Sequence, residues 1–308
     1  MNGKDWMRDR RWGVFTHFLY HEQNQANSPT NMGVGATDWN ECVDNFDVKR
    51  LAADVHETGA HYLFFTLMQG KRYMCAPNAT FDRITGYKPG EACSRRDLIA
   101  DLLDALSPYG IDLCLYYTGD GPYQDPIAGP AMGYASQKDK VTEAFVRNWA
   151  SVAKEYSLRY GKAIKAWWVD GCYDWFGYDD SLLSIYVPAM KAGNPDAILA
   201  FNGGVKMGVF KRTAHDDFTC GEMNSFEDLP KERFIDGAQW HILAPIGVSV
   251  TDNPYEAWCK PGCKHTPEYM KEYVRKVNAV GGAVTVDVAL YRDGHLDPEQ
   301  IALLKNLD

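Results

Sequence analysis

Two carboxylates end apolar segments of the chain in a way that suits acid–base chemistry. Asp170 ends the run KAWWVDG (165–171), and Glu222 ends DDFTCGE (216–222). If both face one pocket, one carboxylate can attack or stabilise an anomeric carbon while the other protonates the leaving oxygen, as glycoside hydrolysis requires. Asp170 taken alone is equally compatible with an aspartate that caps the turn or helix after it.

Other polar side chains lie at comparable positions near the ends of apolar runs. They are His17, Gln69, Asp120, Asn202, His241 and Asp287. A single histidine on an apolar strand is more often a hydrogen-bonded core residue than a catalyst, so the group as a whole carries the argument. The chain also has 18 tyrosines and nine tryptophans. These aromatic residues suit either a large core or a cleft in which flat rings stack on sugar faces.

Eight strand-like runs alternate with helical patterns along the chain. Most of the runs are continuously apolar, as expected of parallel strands that are buried on both faces. The runs are Trp12–Phe18, His61–Met68, Ile111–Gly119, Lys165–Gly171, Ala197–Gly204, Asp217–Glu222, Ala238–Gly247 and Ala283–Leu290. The helical patterns are Val48–Thr58, Arg96–Leu106, Gln137–Tyr160, Ser181–Ala192, Pro267–Val280 and Pro298–Leu307.

This alternation predicts a single-domain α/β fold over residues 1–308, a (β/α)8 TIM-type barrel with one helix missing or short between the sixth and seventh strands. Barrels keep their active sites at the C-terminal ends of the strands, which is where Asp170 and Glu222 are expected. Long loops after the first two strands, Leu19–Asp38 and Gly70–Arg95, predict a deep pocket there. A doubly wound sheet is the alternative, but no glycine-rich phosphate motif follows the first strand.

Composition narrows the classes of partner and location. The net charge is −9 and no run of like charge occurs, which argues against nucleic acid or an anionic membrane surface as a partner. No apolar stretch reaches the length of a membrane span, and the N-terminal residues lack the apolar core of a signal peptide. The sequence therefore predicts a cytoplasmic protein, unless a leader has been removed.

The eight cysteines are spread along the chain and suit reduced, partly buried thiols. Cys259 and Cys263 form a C-x3-C pair near His265, a spacing that zinc can use, but no second pair accompanies them. We therefore predict no structural metal and no cofactor. Metal-assisted hydrolysis is also disfavoured, because no H-x-H pair occurs on any predicted strand.

Five segments that span nearly the whole chain carry a family resemblance. They are WMRDRRWGVFTHF (6–18), NFDVKRLAADVHETGAHYLFFT (45–66), RYGKAIKAWWVDG (159–171), DDFTCGE (216–222) and GGAVTVDVALYRDGHLDPEQIALL (281–304). In this order they resemble the α-L-fucosidases of glycoside hydrolase family 29. The resemblance implies retaining hydrolysis with Asp170 as nucleophile, Glu222 as acid/base and His17 as a sugar contact. Glu222 would then need a raised pKa to hold its proton near neutral pH.

The chain departs from the family pattern in the residues that would surround the sugar. The family's H-H-D-G-F segment after the second strand is replaced by LMQGK (67–71), and Lys206 stands where an arginine often follows the fifth strand. The resemblance also includes no counterpart of the family's C-terminal β-sandwich, so a face that a homo-oligomer would cover is expected. These differences predict a conserved catalytic frame inside a changed sugar-binding wall.

The expected activity is therefore exo-hydrolysis of a terminal fucose-, galactose- or N-acetylgalactosamine-type residue from an oligosaccharide or glycoconjugate. The alternative is a carbohydrate-binding barrel that has lost catalysis, since the missing histidines and arginine weaken the family pattern. Beyond His17, the expected sugar contacts are Gln69, Lys71, Tyr117, Asp120, Trp168, Tyr173, Trp175, Asn202 and Trp240.

Overall fold

The structure is a computed structural model that describes residues 3–249, 251, 253–305 and 307. Its strands are β1 (Trp12–Thr16), β2 (Tyr62–Thr66), β3 (Asp112–Thr118), β4 (Ile164–Asp170), β5 (Ile198–Phe201), β6 (Phe234–Ile235), β7 (Ala238–Gln239), β8 (His241–Pro245) and β9 (Ala283–Val288). Its α-helices are α1 (Gly3–Arg10), α2 (Tyr20–Gln23), α3 (Trp39–Asp44), α4 (Val48–Thr58), α5 (Ala79–Thr85), α6 (Leu98–Leu106), α7 (Ala128–Met132), α8 (Glu143–Tyr160), α9 (Asp180–Ser184), α10 (Tyr186–Met190), α11 (Pro267–Ala279) and α12 (Pro298–Leu304).

Seven parallel strands form a curled sheet in the order β5-β4-β3-β2-β1-β9-β8. The backbone between residues 217 and 222 lies between the two edge strands. The Asp217 N–H donates to the Leu199 carbonyl on β5 at 2.8 Å, and the Leu243 N–H on β8 donates to the Gly221 carbonyl at 2.9 Å. This segment therefore takes the sixth position, and the predicted TIM-type barrel is confirmed.

The sixth position is less regular than the sequence predicted. Residues 217–222 form only isolated bridges, at Phe218 and Glu222, instead of a continuous strand. Gly221 explains part of the irregularity because its φ is +60°, and a Cβ there would meet the His241 carbonyl oxygen at 2.0 Å. Only glycine adopts this turn without strain so close to a neighbouring backbone.

Side chains inside the barrel follow the two-residue period of the strands. Phe15, Phe64, Tyr116, Trp168 and Leu243 belong to one interior cluster, which is separate from the larger cluster between the sheet and the helices. Because side chains alternate along a strand, the residue two positions after each of these lies above it at the mouth. The aromatic interior thus forms the floor of the candidate site.

The helices differ from the prediction where turn chemistry intervenes. The predicted helix at 137–160 begins only at Glu143, because Thr142 caps it with a hydrogen bond to the Phe145 N–H. The predicted helix at 181–192 is split into α9 and α10, since Pro188 has no N–H to donate to the Ser184 carbonyl. Residues 202–240, all of them described, contain no α-helix. The connections before and after the sixth position therefore both lack a helix, whereas the sequence predicted a missing or short helix only in the connection after it.

The loop at 19–38 is fixed against the last strand rather than left free. Arg292, which follows β9 and is only 5% exposed, donates hydrogen bonds to the Gln23 carbonyl, the Asn24 amide oxygen and the Thr37 hydroxyl. A guanidinium with several fixed acceptors holds a loop well because its donors are arranged in a rigid plane. This loop forms one wall of the mouth. No helix among the described residues is both long and apolar enough to cross a membrane.

Candidate active site

A cavity of about 480 Å³ opens at the C-terminal ends of the strands. Phe15 and Trp168 form its apolar floor, and His17, Asp170 and Glu222 project into it from β1, β4 and the sixth position. The three polar residues follow inward-facing positions by two residues, which places all of them on the interior face. The barrel therefore brings the two predicted catalytic carboxylates to one cavity.

Four donors hold the Asp170 carboxylate. Its Oδ2 accepts a hydrogen bond from the Tyr116 hydroxyl at 2.7 Å. Its Oδ1 accepts from the Asn202 amide at 2.8 Å, the Gly171 N–H at 2.8 Å and the Tyr173 hydroxyl at 3.0 Å. These bonds suit the ionised form, which only accepts hydrogen bonds, and they fix the direction in which the carboxylate faces the cavity.

Glu222 shares a donor with Asp170. The Asn202 amide nitrogen donates to Glu222 Oε2 at 2.7 Å and to Asp170 Oδ1 at 2.8 Å. The two accepting oxygens therefore lie at most 5.5 Å apart, which is the sum of the two distances. Burial and the nearby charge of Asp170 raise the pKa of Glu222 to about 7, although Asn202 and His17 act in the opposite direction.

His17 is oriented by a second carboxylate. Its Nδ1 bonds to Asp287 Oδ1 at 2.8 Å, and the other Asp287 oxygen accepts the Cys259 backbone N–H at 2.8 Å. With Nδ1 engaged in this way, Nε2 is left for a ligand in the cavity.

Donor atoms of His17, Cys259 and Asp287 also lie within 4.8 Å of one another, close enough to hold a metal ion. Both Asp287 oxygens are already engaged, one by His17 Nδ1 and the other by the Cys259 backbone N–H, so a metal would have to displace those bonds. Neither Cys263 nor His265 joins any such group among the described residues, so the C-x3-C pair is not gathered into a site.

A second cavity of about 390 Å³ adjoins the first and shares Asp170, Tyr173 and Gln69 with it. The Gln69 amide donates to the Tyr116 hydroxyl at 2.7 Å, and Tyr116 in turn donates to Asp170. Gln69 therefore reaches the nucleophile candidate through one tyrosine. Lys71 also lines this cavity, with its ammonium 5.3 Å from the centre of the Tyr20 ring.

Asp120 is a third carboxyl group in the second cavity. It is buried, and it accepts hydrogen bonds from the Thr118 hydroxyl and from the Gln137 amide, the latter at 2.7 Å. Burial and the charge of Asp170 raise the pKa of Asp120 to about 7, against the lowering effect of its hydrogen bonds. Near neutral pH this group is both a donor and an acceptor for a ligand hydroxyl.

A third cavity of about 660 Å³ continues from the second past Tyr173. Trp175 forms its far wall and is 55% exposed. Its ring stacks on Tyr173 with the centroids 4.4 Å apart and the planes at 28°.

Most of the predicted site residues meet at this mouth. His17, Gln69, Lys71, Asp120, Trp168, Asp170, Tyr173 and Glu222 line the first two cavities, and Trp175 lines the third. Asn202 is 1% exposed and bridges the two carboxylates from behind, which is a positioning contact rather than the predicted sugar contact.

Tyr117 is a correction to the prediction. It faces the helix layer, where its hydroxyl donates to the Trp149 carbonyl at 2.9 Å and its ring stacks on Trp149. Its neighbour Tyr116 takes the interior position. The register with β4 explains this orientation. Tyr116 pairs with the interior residue Trp168 and Thr118 pairs with Asp170, so Tyr117 between them faces the other side of the sheet.

Trp240 is the second correction. It directly precedes β8 and therefore lies at the N-terminal end of the barrel, away from the mouth. Its ring packs beside Gly282, where an added Cβ would meet it at 3.2 Å. The predicted strand began at Ala238, three residues before β8, and therefore included Trp240.

Several cavity residues were not predicted. They are Tyr116, His21, Glu22, Gln124, Gln137, Glu256, Trp258 and Lys260. All but Tyr116 lie in loops or short helices, where spacing carries little information about direction. Tyr116 lies on a strand whose two faces are both apolar, so the sequence carried no signal that it faces inward.

Comparison with known proteins identifies the family of this chain. The sequence model described as Alpha-L-fucosidase matches residues 2–308. The chain belongs to the alpha-L-fucosidase family. This confirms the resemblance inferred from the five segments and places the chain among the glycoside hydrolases. No curated protein sequence matches it.

Solved structures share the fold at low sequence identity. An endo-fucoidan hydrolase from glycoside hydrolase family 107 superposes with a TM-score of 0.73 and 16% identity, covering 99% of this chain and 53% of that one. An alpha-L-fucosidase of family 29 from Bacteroides thetaiotaomicron gives a TM-score of 0.64 and 17% identity, covering 99% of this chain and 72% of that one. The chain thus spans about half the length of the first of these structures.

Proposed function

We propose that this protein is a retaining exo-glycoside hydrolase in which Asp170 is the nucleophile and Glu222 the acid/base. Its substrate is a terminal fucose-, galactose- or N-acetylgalactosamine-type residue of an oligosaccharide or glycoconjugate. The observation that carries the proposal is the single Asn202 amide that bonds both carboxylates. Family membership supports the same reaction class.

The carboxylate spacing favours retention over inversion. Retaining glycosidases separate the two carboxyl groups by roughly 5–5.5 Å, whereas inverting enzymes leave about 6.5–9.5 Å for a water molecule. The shared donor limits the distance between Asp170 Oδ1 and Glu222 Oε2 to at most 5.5 Å. This upper bound agrees with the retaining spacing, so direct attack by Asp170 fits better.

The two steps follow from the protonation states of the pair. In the first step Glu222 gives its proton to the leaving oxygen while Asp170 forms a bond to the anomeric carbon, and the glycosidic bond breaks. In the second step the Glu222 carboxylate takes a proton from water, the water oxygen attacks the anomeric carbon, and the bond to Asp170 breaks. A pKa of about 7 lets Glu222 serve as acid first and as base second.

The rewritten wall supports a sugar other than simple fucose. Where family members offer histidines after the second strand, Gln69 and Lys71 line the second cavity. An amide and an ammonium on a flexible stem present different donors from two imidazoles. A sugar with a differently placed or acidic substituent fits this wall better than unmodified fucose.

A turnover screen tests the proposal. Wild type, Asp170→Asn and the exposed control Asp104→Asn would be compared on aryl α- and β-glycosides of fucose, galactose and N-acetylgalactosamine. We expect one sugar to be released by wild type and by Asp104→Asn but not by Asp170→Asn. Proton NMR of the first product should show the anomeric configuration of the substrate.

Two results would contradict the proposal. Equal turnover by wild type and Asp170→Asn would remove Asp170 from the chemistry. Sugar binding in a glycan array without release from any glycoside would favour the alternative, a carbohydrate-binding barrel that no longer catalyses.

A further inference from the structure

The candidate site continues well beyond the carboxylate pair. The cavity of about 480 Å³ that holds Glu222 shares Asp170 and Tyr173 with the cavity of about 390 Å³, which in turn shares Tyr173 and Gln137 with the cavity of about 660 Å³. Small-molecule sites usually occupy about 300–1,000 Å³. Each cavity alone is therefore large enough for a ligand, and one terminal sugar leaves most of this groove empty.

The middle of the groove is lined by groups that match sugar hydroxyls. Asp120 and Gln137 are hydrogen-bonded to each other at 2.7 Å, and Gln124 lies beside them with its amide donating to the Tyr123 hydroxyl at 2.8 Å. Carboxamide and carboxyl groups both donate and accept, so a ring of hydroxyls can be satisfied in more than one orientation.

The far end of the groove offers an aromatic surface. Trp175 is the one exposed tryptophan among the nine in the chain, all of which lie within the described residues. Its ring is held by the stack on Tyr173, and its carbonyl accepts a hydrogen bond from the Lys140 ammonium at 2.6 Å. Gly204 allows this packing, because a Cβ there would lie 3.1 Å from the indole.

An exposed indole needs a reason, since the usual place of so large an apolar group is the interior. Trp175 lies at the end of a polar groove that starts at the catalytic pair, and Tyr173 contacts both ends, with its hydroxyl on Asp170 and its ring under Trp175. A flat ring in this position is suited to stacking against the C–H face of a sugar.

We infer that this groove binds an oligosaccharide of at least three sugar units. The terminal unit lies at Asp170 and Glu222, the second lies against Asp120, Gln124 and Gln137, and the third stacks on Trp175. This inference rests on the proposed function. Contacts with the second and third units supply binding energy remote from the reacting bond, which an enzyme can use to orient that bond.

Chain-length kinetics test the inference. The probes are the 4-nitrophenyl α-glycosides of fucose, galactose and N-acetylgalactosamine, and end-labelled α-linked oligosaccharides of two to five units of each sugar. We expect wild-type kcat/KM to rise up to three units and then level off. Trp175→Ala should lower kcat/KM for the trimer about ten-fold more than for the aryl glycoside, in keeping with the cost of truncating a central aromatic contact.

Two further variants separate stacking from general damage. Trp175→Phe keeps an aromatic face and should restore most of the length dependence. Tyr109→Ala removes a 42% exposed tyrosine that stacks on His56 beyond the N-terminal end of β3, and it should leave the length dependence as in wild type. An equal effect of Trp175→Ala on all lengths, or no effect on any, would overturn the inference.

A binding measurement keeps the groove testable if no probe is cleaved. Calorimetric titration of wild type and Trp175→Ala with fucose, galactose and N-acetylgalactosamine, and with the trimer of each, measures affinity without turnover. Tighter binding of one trimer that Trp175→Ala abolishes would support the groove even if the proposed hydrolysis failed. Affinity for every trimer no better than for its monosaccharide would overturn it, and so would trimer affinity unaffected by Trp175→Ala. Release of internal fragments from the pentamer would contradict exo action alone.

Discussion

The two carboxylates proposed as catalytic, Asp170 and Glu222, are held by different kinds of structure. Asp170 ends β4, which pairs along its length with β3 on one side and β5 on the other. Glu222 ends the segment at 217–222, whose backbone pairing with its neighbours consists of isolated bridges and single hydrogen bonds instead of a ladder. Asp170 is thus placed by a continuous ladder of backbone hydrogen bonds, whereas the position of Glu222 depends on a few separate contacts.

Side chains supply what the ladder lacks at the sixth position. The Thr219 hydroxyl donates to the His241 carbonyl at 2.7 Å, and His241 bonds to the Thr219 carbonyl through Nδ1 and to the Thr285 hydroxyl through Nε2. The Trp168 indole donates to the Cys220 carbonyl at 3.0 Å. Asp170 is therefore fixed by secondary structure, whereas Glu222 is fixed by the packing of the barrel interior.

The largest effect should come from Asp170→Asn, which breaks the regular side of the comparison. We expect kcat to fall about 10⁴-fold or more, since no covalent intermediate can form. The same change removes the negative charge that helps to raise the pKa of Glu222, so that pKa should fall below 7. Carbon-13 NMR of labelled glutamate would measure it, and an unchanged Glu222 titration would contradict the coupling.

Glu222→Gln tests the irregular side and should cost about 10²–10⁴-fold on substrates with poor leaving groups. Wild-type kcat/KM should fall as pH rises past about 7, where Glu222 loses its proton. The variant should lack this limb and should retain turnover of dinitrophenyl glycosides, whose leaving group needs no acid. Glu143→Gln, at an exposed residue of α8, is the matched control. Equal losses on both leaving-group classes would count against the role of Glu222 as acid.

Asn202→Ala sharpens the comparison because it removes the side chain that bonds both carboxylates. We expect kcat/KM to fall about ten-fold, the order of magnitude of one buried hydrogen bond to a charged group. The Asn202 bond lowers the pKa of Glu222, so its loss should move the alkaline limb of the pH profile to higher pH. Asn148→Ala removes a single amide bond to the Met132 carbonyl and should shift neither. A limb that stays in place would show that the bridge does not influence Glu222.

The smallest effect on rate should come from His241→Ala, which loosens the interior contacts of the sixth position. We expect a loss of about 1–3 kcal/mol in the free energy of unfolding, because Thr285 and the Thr219 carbonyl lose a buried partner. Urea titration measures this loss. The rate with poor leaving groups should fall several-fold, and the rate with dinitrophenyl glycosides much less.

Asn78→Ala provides the control for that experiment. Asn78 caps α5 and bonds to the Val152 carbonyl, so its removal costs stability far from the mouth. If it changes the leaving-group dependence as much as His241→Ala does, the effect belongs to general stability and not to the sixth position.

The sequence predicted the regular parts of the molecule well. Helix α4 has the predicted bounds, and Asp170 is found at the end of its strand, because apolar runs and capping residues determine both. The family resemblance, not periodicity, gave Glu222 its role. The segment at 217–222 has the composition of a strand, but it contains Gly221, whose left-handed backbone conformation depends on the close approach of a neighbouring strand.

The choice between Tyr116 and Tyr117 shows where a continuously apolar run no longer predicts side-chain direction. Both faces of β3 are apolar and buried, so no alternation of polarity marks which tyrosine points inward. The register with β4 decides it, and that register exists only in the folded sheet. Trp175 and Gln137 lie in connections whose direction is set by the turns around them, so their place in the groove was likewise open until the fold was known.

The hydrogen bonds from Arg292 to the loop at 19–38 affect the order in which the protein can fold during synthesis. Residues 23, 24 and 37 leave the ribosome early, but the side chain that fixes them is synthesised some 250 residues later, as are the β9 residues that pair with β1. At about 5–20 residues per second, the nascent chain holds an incomplete mouth for on the order of ten seconds or more. This side of the mouth is therefore completed only after Arg292 and β9 have been synthesised.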